Sequence, residues 1–308
     1  MNRARRIALL ASLVLLPCLA PAENAACTNL TQALANPAGV KQLTLKDYPA
    51  AALPAELGSL TNLTHLVIAP AKGYKPRQWG VLPLAGMPPE IKNLTNLTEL
   101  VIQGAKLTAI PEELGALTQL TTLRLEGGEF QQLPASIGKL QNLTSISIES
   151  RFLKTLPSEI GQLTSLVHAD FHGVFDSCPA SIGNLTNLKS LVLDGCLKTV
   201  PDEIGRLTGL EELGITGNDA KELTPAIGKL TQVKRLNLSH NNFETLPGAI
   251  GELLELVRLN LEGNELKTLP PEMEKLKKLA NLNIEGNQIV QEEGRKILGW
   301  LPKTAIRW

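Results

Sequence analysis

The chain has 308 residues, with 30 Lys+Arg against 30 Asp+Glu, 43% hydrophobic and only 3% aromatic content, and four cysteines. That balance supplies no general attraction to nucleic acid or anionic lipid, and so few cysteines make no disulfide framework. Because aromatic residues are scarce, any clustering of them is informative.

The first predicted segment is a leader. In "MNRARRIALLASLVLLPCLAPAENAAC", Arg3, Arg5 and Arg6 precede an apolar run, and Ala20-Pro21-Ala22 offers a small-x-small cleavage site. The pattern predicts a secretory signal peptide over residues 1–22, too short and too poorly flanked to span a membrane. A lipoprotein fits less well, because Pro17 precedes Cys18 and Asn24 sits three before Cys27. Cleavage takes three arginines from the 30 Lys+Arg, leaving 27 against 30 Asp+Glu, a net charge near −3; Cys27, Cys178 and Cys196 remain. The mature chain is expected to be exported, periplasmic or secreted, with no later membrane span.

Residues 23–42, including "NLTQALANPAGV", predict an N-terminal cap with a short helix. Beyond them one register governs the chain. The segments "VKQLTL", "LTHLVI", "LTELVI" and their successors put Leu43, Leu66, Leu100, Leu123, Ile146, Ala169, Leu191, Leu213, Leu236, Leu259 and Leu282 at one position. The spacing is 22 or 23 residues except for one step of 34 between Leu66 and Leu100. A second marker runs in parallel, as in "LPAELG", "IPEELG", "LPSEIG" and "VPDEIG". Such a period predicts about eleven stacked turns over residues 43–289.

These motifs resemble the leucine-rich repeat family in its 23-residue form, LxxLxLxxNxLxxLPxxIGxL. Within that family they look most like the Ras-group and disease-resistance-like proteins and their bacterial relatives. The resemblance implies an α/β, right-handed, curved solenoid with parallel strands on its concave face and short helical or 3₁₀ turns outside. It also implies protein–protein interaction as the role. The chain lacks the paired-cysteine caps of extracellular plant and animal members, which together with the leader points to a bacterial exported protein.

Elementary physics leads to the same architecture. In "LxL" two leucines alternate with polar residues, so each short strand buries one face. The Pro that follows cannot donate to a ladder, and "IGxL" returns along the outside. No turn can bury its leucines alone, but stacked turns about 4.8 Å apart share one core. Asn218, Asn241, Asn264 and Asn287 take the motif's Asn position in the last four turns, where a buried amide can bond loop backbone. Earlier turns carry Ala71, Ala105, Gly128, Arg151, Val174 and Cys196 there, which predicts looser loops in the N-terminal half.

The long step is the sharpest irregularity. Between Ile68 and Ile91, "APAKGYKPRQWGVLPLAGMPPE" is eleven residues longer than its counterparts, placing an insertion within residues 69–90. It carries Tyr74, Lys75, Arg77 and Trp79, the residue types that anchor interfaces. A Trp folded back over a gap in the solenoid would account for it equally well.

Further along, "LVHADFHGVFDSCP" puts His168, Asp170 and His172 on alternate strand positions. Ala169 and Phe171 take the buried positions, so the three polar residues face outward. The two histidines stand about 13 Å apart along a strand, too far to share one metal without strain. They read as recognition surface, with a metal-dependent activity as the weaker alternative. Phe152 and Phe175 follow adjacent strands in equivalent places and are expected to pack. Cys178 and Cys196 replace core residues, and a disulfide between them would need Cα atoms within about 7 Å.

The inner face is acidic in its middle, with Glu126, Glu149 and Asp194. Its last third repeats an Arg column beside an Asn column: Arg235 and Asn237, then Arg258 and Asn260. Lateral neutralisation on a solvated sheet explains that ladder as simply as ligand binding does. The C-terminal cap, residues 290–308, predicts an amphipathic helix with Ile297, Leu298, Trp300 and Leu301 toward the core, then a short edge strand.

No nucleophile elbow, phosphate loop or metal signature occurs, so no catalytic, cofactor or metal residues are assigned. The expected function is that of a monomeric, non-enzymatic scaffold binding a protein partner through the concave face and the inserted loop. Polysaccharide or cell-wall binding is the alternative, though no aromatic platform stands at the strand positions.

Overall fold

A computed structural model describes residues 26–75, 77 and 79–308; the expected leader lies outside the described residues. Among the described residues thirteen parallel strands form one sheet in chain order. They are β1 (Ala26–Cys27), β2 (Gln42–Lys46), β3 (His65–Ala69), β4 (Glu99–Gln103), β5 (Thr122–Gly128), β6 (Ser145–Ser150) and β7 (His168–His172), then β8 (Ser190–Asp194), β9 (Glu212–Thr216), β10 (Arg235–Asn237), β11 (Arg258–Asn260), β12 (Asn281–Asn283) and β13 (Ala305–Arg307). Each pairs only with its neighbours in sequence, and motif leucines face one another across the ladder: Leu213 opposes Leu236, which opposes Leu259.

The repeat motif dictates this arrangement residue by residue. Leu43 and Leu45, Leu191 and Leu193, and their counterparts are buried on one side of the sheet. The prolines then hold extended backbone at the entrance to a 3₁₀ turn, as Pro111 does before Glu112–Ala116. Successive outer turns stack so closely that a side chain on the motif glycine has no room. A Cβ on Gly115 would lie 2.5 Å from the Ser136 Cβ and 2.6 Å from its carbonyl oxygen. Outer asparagines tie the turns together: the Nδ2 groups of Asn62, Asn96, Asn142 and Asn187 donate to carbonyls of the preceding turn.

The buried Asn ladder occupies the last four turns. Asn264 accepts from Phe243 N at 3.2 Å and donates to the carbonyls of Leu238 and Leu261, both at 2.9 Å. Asn287 repeats the pattern one turn on. In two of the turns that lack this Asn the sheet itself extends, to seven residues in β5 and six in β6, so backbone pairing replaces the missing amide there. Strands β10–β12 shrink to three residues because Asn237, Asn260 and Asn283 each accept from the backbone N–H two residues on, at 3.1 Å. That local bond competes with the ladder.

At the N-terminal end α1 (Leu30–Ala35) is capped by Asn29, whose Oδ1 accepts from Gln32 N. At the other end α2 (Gln291–Trp300) buries Ile297, with Leu301 following, and β13 pairs with β12. Leu298, expected to face the core, is 48% exposed. It neighbours Ile297 in a helix that is buried along one narrow stripe. The expected packing of Phe152 with Phe175 fails for a similar reason. Phe175 lies wholly in the core, whereas Phe152 stands one residue before the equivalent core position, held by Leu153, and is 41% exposed beneath the Arg151 guanidinium. Cys27, Cys178 and Cys196 are all free thiols, and burial pushes the Cys178 thiol up to about 12.

Candidate functional site

The insertion is narrower than its surroundings suggest. Ile68 pairs with Ile102 and Leu82 with Ala105, so fourteen steps in this turn match three in the next, and the excess of eleven falls between them. From Leu82 onward the chain is ordinary repeat, with Leu82, Leu84 and Met87 in the core. The loop turns sharply, with positive φ at Gly73 (79°), Arg77 (64°) and Gly80 (60°). At Gly80 a Cβ would press within 2.7 Å of the Lys106 side chain.

This loop reaches over the C-terminal ends of the strands that follow it. Tyr74 lies against Gly127 of β5; a Cβ there would come 3.3 Å from the ring and 2.9 Å from Gly104 Cα. The Arg77 backbone N–H donates to Glu149 Oε1 of β6, and its guanidinium pairs with Asp194 of β8. Between those two anchors His172 of β7 approaches the same Asp194 oxygen, Nδ1 to Oδ2 at 3.4 Å. One loop therefore spans from β5 to β8, about 15 Å at normal strand spacing. Arg77 is a non-glycine residue in the left-handed region, a conformation that persists where neighbouring contacts over-determine it.

The strand ends it covers form a row of titratable groups. Glu126 is buried and fully engaged: Gln103 Nε2 donates to it at 2.7 Å, Arg124 Nε at 3.0 Å and Ser147 Oγ at 2.6 Å. Glu149 is also buried, and desolvation raises its pKa despite the Arg77 amide. Burial likewise raises Asp170, against the pull of His172 and Arg124. His172 responds the opposite way. Burial lowers it, but the hydrogen bond and charge of Asp194, with Glu149 and Asp170 behind, outweigh burial and hold the imidazole above its ordinary value. Asp194 is desolvated too, yet His172 and Arg77 keep its pKa below the usual carboxylate value. The Tyr74 hydroxyl is buried beside Glu149 without hydrogen-bond geometry, and burial together with that carboxylate pushes its pKa far up.

Tyr74, Arg77, Glu126, Glu149, Asp170, His172 and Asp194 thus belong to one constellation. Lys75 is exposed, Trp79 is half-buried, and His168 stands exposed at the far end of its strand, away from this row. Among the described residues no group of three or more His, Cys, Asp or Glu side chains has metal-binding geometry. No described helix is long and apolar enough to cross a membrane.

Arg235, Asn237, Arg258 and Asn260 form a second, separate region. They line a trough of about 640 Å³ on the open sheet face, running from β8 to β13. Arg235 and Arg258 are directly opposed across β10 and β11, as are Asn237 and Asn260. The motif reading passed over Gly214 on the trough floor. It is legible only once the register shows it opposite Val192 and Asn237, where other strands carry a side chain.

A single-sheet solenoid of stacked parallel strands and 3₁₀ turns defines a repeat protein built for surface rather than enclosure. The description "leucine-rich repeat region" matches residues 88–178 and 147–236, and "leucine rich repeat" matches residues 208–266 and 231–289. The chain belongs to the leucine-rich repeat family, whose members commonly serve protein–protein interaction. Comparison with curated proteins returns no match. Among solved structures the fold is shared with an internalin, inlF, of Listeria monocytogenes, at 18% identity and a TM-score of 0.61, covering 89% of this chain and 82% of that one. It is shared with a TDR receptor at 21% identity and a TM-score of 0.72, covering 90% and 48%. A third similar structure is the ectodomain of the Arabidopsis thaliana receptor kinase GASSHO1/SCHENGEN3 in complex with CASPARIAN STRIP INTEGRITY FACTOR 2. It has 25% identity and a TM-score of 0.60, covering 92% of this chain and 40% of the receptor's. The chain spans less than half the length of either receptor.

Proposed function

We propose that this protein is an exported, non-enzymatic recognition scaffold that holds a protein partner on the concave sheet face, acting as a monomer with the inserted loop as one wall of the site. The observation that carries this reading is the open trough beside the anchored loop. A binding surface is what remains when every turn spends its leucines on the shared core and leaves the alternate strand positions free. Loops held on rigid scaffolds are common sites of recognition, and Tyr, Trp and Arg are common anchors. The leader motif supports export, and the receptor solved with a bound factor supports ligand capture by this fold. The polysaccharide alternative is weaker, because among the described residues no aromatic ring lines the trough.

The test is an affinity pull-down from the exported fraction of a native host. It compares wild type with a Tyr74→Ala/Trp79→Ala variant and an Arg235→Glu/Arg258→Glu variant. Loss of a captured protein in the first places the partner on the loop, and loss in the second places it in the trough. Capture that survives both substitutions, or no capture at all, overturns the proposal.

A further inference from the structure

The trough differs in charge and hydrogen-bonding character from the loop-covered half of the same sheet. On the loop side carboxylates dominate, and the loop's own Arg77 answers them. On the trough side the lining is largely apolar, and its polar groups include the guanidiniums of Arg235 and Arg258 and the amides of Asn237 and Asn260. Arg235 has one ionic partner, Glu212. Arg258, directly opposed to Arg235 on the next strand, has none among the described residues, so two guanidiniums share one carboxylate. Like charges opposed across a ladder are unfavourable unless an anion sits between them.

The asparagines beside them reinforce this polarity. The Oδ1 atoms of Asn237 and Asn260 are taken up by the backbone amides of Ser239 and Glu262. That fixes each side chain with its oxygen engaged, and among the described residues neither Nδ2 has a partner. Among the described residues the Arg258 guanidinium and these two amide NH₂ groups are donors left over, and they can take acceptors from outside. At the β8–β9 end the floor changes character. Val192 opposes Gly214, which has no side chain, leaving a small apolar notch beside the arginines.

From this charge complementarity we infer that the trough takes an extended, acidic peptide segment of the partner. Its carboxylates bond Arg235 and Arg258, its backbone carbonyls accept from Asn237 and Asn260, and a small apolar side chain enters the notch at Gly214. This inference rests on the recognition reading above and specifies the ligand chemistry. Carboxylate–guanidinium pairs are directional and bidentate, so they set register as well as attraction.

The test uses a phage-displayed random peptide library selected separately on the full chain, on Arg258→Glu and on Gly214→Leu, each verified to be folded by circular dichroism. Wild type is expected to enrich sequences with Asp or Glu next to a small apolar residue. Arg258→Glu should weaken a synthesised winner on the order of tenfold or more, with binding falling as salt rises. Gly214→Leu should remove the apolar preference while keeping the acidic one. Enrichment of basic or uncharged sequences overturns the inference, as does a winner insensitive to Arg258→Glu. Binding of a polygalacturonate oligosaccharide in competition with the winner also overturns it. If the pull-down partner depends on Tyr74 and Trp79 but not on Arg258, the scaffold reading stands and the acidic-segment inference falls. If nothing protein-like binds in either assay, both fall.

Discussion

Arg77, in the loop after β3, pairs with Asp194 at the end of β8, 117 residues later in sequence. Its backbone N–H is bonded to Glu149 as well, so one residue fastens the loop to two strands. Most other contacts in this solenoid join adjacent turns. This one skips turns.

Removing the tether should free the loop without unfolding the protein. The Arg77 side chain is 62% exposed and that of Asp194 15%, and such a pair is worth about 0–1 kcal/mol. Arg77→Ala should therefore leave the melting temperature nearly unchanged. Chymotrypsin cleavage after Tyr74 and Trp79 should accelerate severalfold, followed by mass spectrometry. A cleavage rate equal to wild type means that the loop is held by something else.

The His172–Asp194 pair gives a signed pH dependence. The folded pKa of His172 is raised above 6.5, so its contribution to stability is fully present below the unfolded value and is lost as pH rises through the folded one. Asp194 is depressed, so its contribution is present above 3.8 and fades as pH falls through its lower folded value. The stability difference between wild type and His172→Gln, from urea melts, should be largest between these limits, near pH 5–6, and shrink as pH rises through the folded His172 value. NMR titration should place the His172 midpoint above 6.5 and bring it down in Asp194→Asn.

Gly127 is required for two reasons. Its φ is +85°, and an added Cβ would crowd both Gly104 and the Tyr74 ring. Gly127→Ala should cost about 1–3 kcal/mol in chemical denaturation and also raise chymotrypsin cleavage after Tyr74. Gly209→Ala, whose nearest neighbour would be 3.6 Å away and whose φ is not in the left-handed region, is the matched control and should cost under about 1 kcal/mol.

The buried amide ladder should be costly to break. Asn264→Ala removes four hydrogen bonds and strands the Phe243 N–H in the core, an expected loss of about 2–4 kcal/mol. Arg151→Ala, at the corresponding position of a turn that uses strand pairing instead, should fall within about 0.5 kcal/mol of wild type. Equal losses at both positions would mean that the amides carry no special share of the stability.

The sequence alone determined the solenoid and its register, because burying leucines at a fixed period leaves one solution: coils of equal length stacked on one another. The outward direction of His168, Asp170 and His172 followed from that, since the pleat alternates and Ala169 and Phe171 were already committed to the core. The positions of Phe152 and Leu298 were misjudged because each lies one residue away from a core position, and neither a loop nor a short helix announces its phase. What only the tertiary structure decided is where the eleven extra residues go. Nothing in "KGYKPRQWG" says that Tyr74 will meet Gly127 or that Arg77 will meet Asp194. Those contacts depend on strands brought alongside by stacking, and the pairing of charges across four strands is a property of the assembled surface, not of any period in the chain.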